Sequence, residues 1–246
     1  MKIVAFVAKH TGIEFAESIL TNGDDIQLVI GNEDRNSIVE FCMRNSLQYQ
    51  FIEDFDFSKC LDKEFDWLLN LWSPFIFKDI HLIKAKKTLN IHPSLLPSCR
   101  GRDPIVHGLL NQEKLGFTFH VISVGIDEGP IIFQKEVNYT FPFKADEIYA
   151  KVVREAIMNF KLEWPRIRHG DFELIRQEQI SSRTNTRAHT ENLRLKKWQD
   201  LSPDQKDVLL WMSSFDFKND YGPLLEVNGK TFKISISYSQ SEENHD

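Results

Sequence analysis

Cysteine is nearly absent: Cys42, Cys60 and Cys99 are the only three in 246 residues, with no C-x-x-C and no paired spacing. That argues against a disulfide framework or a cysteine zinc site and for a reducing cytoplasm. No apolar run reaches the roughly 20 residues a membrane helix needs. The opening MKIVAFVAKHTG reads as a core strand and has no small-residue cleavage site of a secretory signal. Basic charge is lacking too. Lys and Arg total 30 against 36 Asp and Glu, a net of −6, and residues 181–246 hold nine against ten. A nucleic-acid surface is normally basic, so none is expected here or hidden in the tail. Phosphate-cradling glycines are also missing. The first strand-to-helix turn, Ala8-Lys9-His10-Thr11-Gly12, has one glycine where G-x-G-x-x-G would need three, and no G-x-x-x-x-G-K-[ST] occurs.

What is present belongs to a globular chain large enough for one ordinary domain and a small appendage, with 41% hydrophobic and 12% aromatic residues. Residues 2–8 form a continuous apolar run, as in a strand covered on both faces. Ile13, Phe15, Ala16, Ile19 and Leu20 follow at helical spacing, then a strand at Ile26–Ile30, a helix around Ile38–Cys42, and strands at Tyr49–Ile52 and Trp67–Trp72. This alternation predicts an α/β fold: a Rossmann-like, mostly parallel sheet with helices on both faces. Such sheets bind ligands at the carboxyl ends of their strands, which draws together Lys9/His10, Trp72/Ser73 and Asn90/His92. A long amphipathic helix is predicted over 145–160 with the stripe Ile148, Val152, Ile157 and Phe160, read as core packing. The polar, aperiodic stretch 181–190 reads as a boundary between domains at 1–180 and 181–246. Beyond it come a helix over Asp204–Phe215 and two alternating runs around Asn228-Gly229, a strong hairpin signal.

The chemistry concentrates in residues 88–130. Thr88-Leu89-Asn90-Ile91 reads as a strand delivering Asn90 and His92 to its end, where Pro93 turns the chain outward. A second strand leads to Gly125-Ile126-Asp127-Glu128-Gly129. An amide, an imidazole and a carboxylate are the groups needed to hold an oxyanion and move a proton. Singly they are weak. Asp127 between glycines could be an ordinary turn residue, and Arg100–Asp103 a solvated loop or a helix start capped by Asp103. His107, His120 and His169 read as packed or surface histidines. Cys99 lies in the same loop, but nothing nearby in sequence supplies a base to make it a nucleophile.

The order N-x-H-P-S-L-L-P-x-x-R-G followed by D-E-G-P-I resembles the folate-dependent formyltransferase family. That family includes methionyl-tRNA formyltransferase, glycinamide ribonucleotide transformylase and the sugar-nucleotide N-formyltransferases. The motifs lie within residues 88–133 and the alternating pattern before them agrees, so the resemblance covers roughly residues 1–180. It implies that Asn90, His92 and Asp127 are a catalytic triad. N10-formyltetrahydrofolate is implied as co-substrate, with no metal. The family grips the pterin largely with backbone groups, placing it here against Trp72 to Phe77 (Trp72, Pro74, Phe75, Ile76) and Ile122 to Asp127 (Ile122, Val124).

The tail separates the relatives. It is longer than glycinamide ribonucleotide transformylase needs, and smaller and less basic than a tRNA-binding domain. A short helix followed by a G-K-x-F hairpin is similar to enzymes acting on dTDP-4-amino-4,6-dideoxyglucose and related nucleotide-linked sugars, which act in bacterial O-antigen and surface polysaccharide synthesis. The resemblance therefore implies a cytoplasmic homodimer joined through this region, binding neither nucleic acid nor membrane. Lys9, His10, Ser94, Arg102 and Arg183 (with Arg187) are candidates for holding the acceptor. GDP-perosamine, glycinamide ribonucleotide or methionyl-tRNA are the alternative acceptors, and a non-catalytic folate or sugar-nucleotide binding module is the alternative class.

Overall fold

The computed structural model describes residues 1–56, 64–178, 184–201, 203–217 and 221–238. Its main sheet contains β1 (Lys2–Ala8), β2 (Asp25–Asn32), β3 (Tyr49–Phe51), β4 (Phe65–Leu71), β5 (Ala85–His92), β6 (Gly116–His120) and β7 (Ile131–Glu136). The spatial order is β3-β2-β1-β4-β5-β6-β7. The first five run parallel; at one side β6 pairs antiparallel with β5 and β7 antiparallel with β6. The chain winds away from β1 in both directions, so the crevice between the carboxyl ends of β1 and β4 is the switch point where such sheets take ligands.

Strand β1 shows why the apolar run needs two covers. Ile3, Ala5 and Val7 enter one hydrophobic cluster while Val4 and Phe6 enter another on the opposite face. The first cluster is closed by α1 (Lys9–Thr21), α2 (Arg35–Arg44) and α5 (Ala145–Ile167). On the second face, Phe77 and Leu82 of the segment containing the short α3 (Asp79–Leu82) pack against β1 and β4 side chains. Helix α5 extends seven residues beyond the expected 145–160, because Trp164 and Ile167 carry the buried stripe onward. Trp164 Nε1 also donates to buried Asp24 Oδ2 at 2.9 Å.

The tail consists of α6 (Arg187–Arg194), α7 (Gln205–Ser214) and a three-stranded sheet in the order β10-β9-β8. Strand β8 (Leu195–Lys197) pairs parallel with β9 (Leu224–Val227), which pairs antiparallel with β10 (Lys230–Lys233). Asn228 and Gly229 have φ of 50° and 74°, both left-handed, which is what a two-residue hairpin turn matched to strand twist requires. The tail is tied to the main domain by Trp211 and Phe215 packing on Val106 of α4 (Pro104–Leu110). No helix among the described residues is long and apolar enough to cross a membrane.

Candidate active site

Asn90 and His92 lie at the end of β5, two residues apart. Asp127 does not sit at a strand end as the sequence suggested. It lies in the loop between β6 and β7, at a left-handed φ of 54°. The loop is held against β5 by Thr88, whose hydroxyl accepts from Ile122 N at 3.0 Å. Asp127 Oδ2 lies 3.4 Å from His92 Nδ1 and accepts the Gly101 N–H at 2.9 Å. Asp127 Oδ1 accepts from Asn90 Nδ2 at 3.2 Å. Thus the three candidates meet directly.

A fourth member was missed. His120 faces Asn90 across the antiparallel β5–β6 pair, and its Nε2 lies 2.9 Å from Asn90 Nδ2 and 3.5 Å from Asp127 Oδ1. Its Nδ1 lies 2.9 Å from the Val121 carbonyl, so the proton is assigned to Nδ1 and Nε2 accepts from the amide. Only the register of β6 on β5 could have revealed this. The Asn90 amide therefore spends one proton on His120 and the other on Asp127.

Burial works to raise the Asp127 carboxyl. The positive charge that His92 and His120 carry when protonated, with the Gly101 N–H, outweighs it and holds the group well below the usual carboxylate range. Burial pushes the His92 imidazole below its ordinary value, with Asp127 pulling the other way and His120 adding to the fall. His92 Nε2 donates to the Cys99 carbonyl at 3.1 Å, leaving Nδ1 directed at Asp127. A proton arriving between ring and carboxylate thus has two acceptors. Cys99 has no such role: burial, the Glu113 charge and its hydrogen bond push the thiol up to about 12.

These groups open into a cleft of about 760 Å³. Trp72, Pro74, Phe75, Ile76, Ile122 and Val124 line one part of it. Ile76 and Val124 are largely exposed at its mouth, while Phe75 stacks on Phe6 at 5.0 Å and Ile122 belongs to the core. Asn70 shapes this wall, its amide bonding both Ser73 N and Ser73 O, at 3.2 and 3.0 Å. Trp72, bulky and at φ 69°, donates from Nε1 to Tyr149 Oη at 2.9 Å. A large side chain in the left-handed region is a strained feature of the kind that gathers at functional sites.

The proposed acceptor contacts divide. Lys9 and Arg102 line the cleft, Lys9 pairing with Glu33 at 3.2 Å. His10 is turned to solvent beside Glu14 and is not in the cleft wall, because it occupies the outer face of α1. Ser94 is buried, donating to the Ser98 carbonyl at 2.7 Å, so it braces the loop instead of facing the cleft. Arg183 lies outside the described residues, and Arg187 lines the cleft. Sequence reasoning treated the tail as an appendage, yet Thr184 to Arg187, Phe217 and Tyr221 form one wall. Gly101 makes this possible. It bridges to Asn185 with φ 86°, and a Cβ there would stand 2.3 Å from the Asn185 carbonyl.

Fold and site together define an α/β protein with an amide–imidazole–carboxylate cluster at the edge of a switch-point cleft. Residues 68–159, which contain the entire cluster, match the family model for formyl transferase. That match agrees with the resemblance the ordered motif implied. Among curated proteins, the chain is 27% identical over 167 residues to methionyl-tRNA formyltransferase of Thermodesulfovibrio yellowstonii, covering 61% of this chain and 54% of that one. The chain spans about half the length, or less, of the curated relatives it matches. Among solved structures, a 4-N formyltransferase from Francisella tularensis superposes with a TM-score of 0.82 at 19% identity, covering 98% of each chain. An N-formyltransferase from Helicobacter canadensis, solved with folinic acid and dTDP-3-aminofucose, gives 0.77 at 24% identity, covering 93% of this chain and 84% of that one. These likenesses extend through the tail and concern the fold.

Proposed function

We propose that the protein is an N-formyltransferase that moves the formyl group of N10-formyltetrahydrofolate to the amine of a nucleotide-linked amino sugar. The observation carrying this reading is the convergence of Asn90, His92 and Asp127, within 3.4 Å of one another's polar atoms through Asp127, in a cleft walled on one side by the tail. The folate fits the wall formed by residues 72–77 and 122–126, where apolar side chains at the mouth flank backbone polar groups able to read a pterin.

The amine attacks the formyl carbon, giving a tetrahedral centre with an anionic oxygen and a cationic nitrogen. Asp127, ionised at neutral pH, takes the excess proton from that nitrogen, with His92 Nδ1 beside it as a second acceptor. A protonated carboxyl is a poorer acceptor, so its hold on the Asn90 amide weakens and that N–H becomes available to the oxyanion. The same proton then passes to N10 as the carbon–nitrogen bond to the folate breaks. The formyl group stays on the new nitrogen as a formamide, and tetrahydrofolate leaves with the proton on N10.

Two features favour a nucleotide-linked acceptor. Arg102 and Arg187 line the cleft, and neither has an ion-pair partner among the described residues, as suits a diphosphate. Phe217 and Tyr221, 5.9 Å apart and edge-on, give an aromatic wall beside them. Among sugars, dTDP-4-amino-4,6-dideoxyglucose is favoured, which would place the protein in cytoplasmic synthesis of bacterial surface polysaccharide, acting as a homodimer. A second reading, charged initiator tRNA, is carried by the methionyl-tRNA formyltransferase relatives, but the net charge of −6 speaks against it.

The test is turnover with N10-formyltetrahydrofolate and, in separate reactions, dTDP-4-amino-4,6-dideoxyglucose, GDP-perosamine, glycinamide ribonucleotide and methionyl-tRNA. Formylated sugar nucleotide is expected. Product from glycinamide ribonucleotide or tRNA alone would replace the acceptor, and folate binding without product from any would sink the transfer itself.

A further inference from the structure

Beyond the end of α5 the chain returns along β7, where Ile131 and Ile175 exchange backbone hydrogen bonds of 2.8 and 2.9 Å. Two residues later stands Gln177, outside the region of the formyltransferase motifs. Every hydrogen-bonding capacity its amide turns inward is spent around the Asp127 turn. Nε2 donates to the carbonyls of Asp127 at 2.9 Å and Gly129 at 2.7 Å. Oε1 accepts from Arg100 Nη2 at 2.8 Å. Arg100 is itself buried, and the peptide that follows it supplies the Gly101 N–H to the Asp127 carboxylate. One side chain thus joins the backbone that carries Asp127 to the side chain of Arg100, the residue next to the N–H that binds its carboxylate.

Such a clamp answers a specific need. Asp127 is a non-glycine residue at φ 54°, a left-handed conformation kept only where the surroundings over-determine it. Glu128, whose carboxylate lies 3.6 Å from Arg100 Nη1, is about half exposed, so that contact adds little. The two carbonyl bonds from Gln177 are the fixed points.

We propose that Gln177, working with Arg100, is a positioning residue that sets the place of the Asp127 carboxylate relative to His92. Without it the turn relaxes and the carboxylate moves off the ring. A displacement of about 1 Å at a reacting group costs on the order of 100-fold in rate. The rate consequence rests on the formyl-transfer reading; the geometric claim does not.

The experiment follows the His92 ring nitrogens by ¹H–¹⁵N NMR through a pH titration in wild type and in Gln177→Met, which keeps the bulk and loses both donors. Gln177→Asn, one methylene too short to reach the turn, is the second variant should the first not fold. His92 is expected to titrate lower in the variant, because Asp127 no longer favours the charged ring. The kcat for formyl transfer should fall about 100-fold with the folate KM unchanged. A folded variant in which His92 titrates as in wild type overturns the proposal. Absence of turnover in wild type would count against the formyl-transfer reading alone, since the titration still decides the role of Gln177.

Discussion

Asp127 is where the chemistry is most exposed to test. Its carboxylate is touched by His92, His120, Asn90 and the Gly101 N–H, so replacing one oxygen by an amide nitrogen removes the proton acceptor with little change of shape. Asp127→Asn is expected to lower kcat for formyl transfer by roughly 10²–10⁴, the range of general-base contributions. Folate affinity, read by equilibrium binding, should hold. A variant retaining more than a tenth of the wild-type kcat would remove Asp127 from the proton path. Asn90, His92 and Asp127 were legible at this scale because their order and spacing are carried by a motif. His120 was not, since a histidine in an apolar strand looks the same whether it faces core or site until its partner strand is known. Gln177 lies 50 positions from Asp127, and no local pattern links them.

Among elements, those with a strong period or turn signal were readable: β1, α5 and the Asn228-Gly229 hairpin. The antiparallel pairing of β6 with its neighbours β5 and β7 was not, because periodicity carries no direction. Nor was the junction of α4 with α6. There His107 stacks on His189 at 5.2 Å and lies 3.0 Å from Thr190 Oγ1. Thr190 gives its own proton to the Thr186 carbonyl, so the His107 Nε2–H is the donor. Burial, then the His189 charge, push His107 below its ordinary value, with Asp103 and Glu113 pulling the other way. The folded state thus prefers neutral His107, and the unfolded chain binds the extra proton first. This contribution to stability is complete above the ordinary value of about 6.5 and is lost as pH falls below it. His107→Gln keeps a donor for Thr190 and cannot titrate. Its melting temperature should drop less than that of wild type between about pH 7.5 and pH 5. Equal drops would exclude His107 from the acid response, leaving groups such as buried His92, which shifts in the same direction.

For the whole molecule, the boundary near residue 181 separates two sequence patterns, yet the cleft is built from both sides of it. Composition shows where polarity changes but not which surfaces a segment covers, and the apolar anchors Trp211 and Phe215 only make sense once Val106 is seen opposite them. With the tail occupied in this way, the homodimer proposed above would have to use what the tail leaves uncovered. Strand β10 is an edge of the small sheet, and Lys230 and Lys233 on it discourage strand-to-strand pairing. Phe232 pairs across the hairpin with Leu225, which packs onto the Val106–Trp211–Phe215 cluster, so the two share a face. Phe232 itself remains 51% exposed. A second copy seated against the part of Phe232 that this packing leaves open would cover it, as the homodimer proposed above requires. Light scattering should then give twice the 28.8 kDa of the chain. Phe232→Lys should return the mass to that of one chain without altering the hairpin, whose turn residues are untouched. Wild-type protein at the mass of one chain would reject the dimer, and a Phe232→Lys dimer would move its interface away from the hairpin.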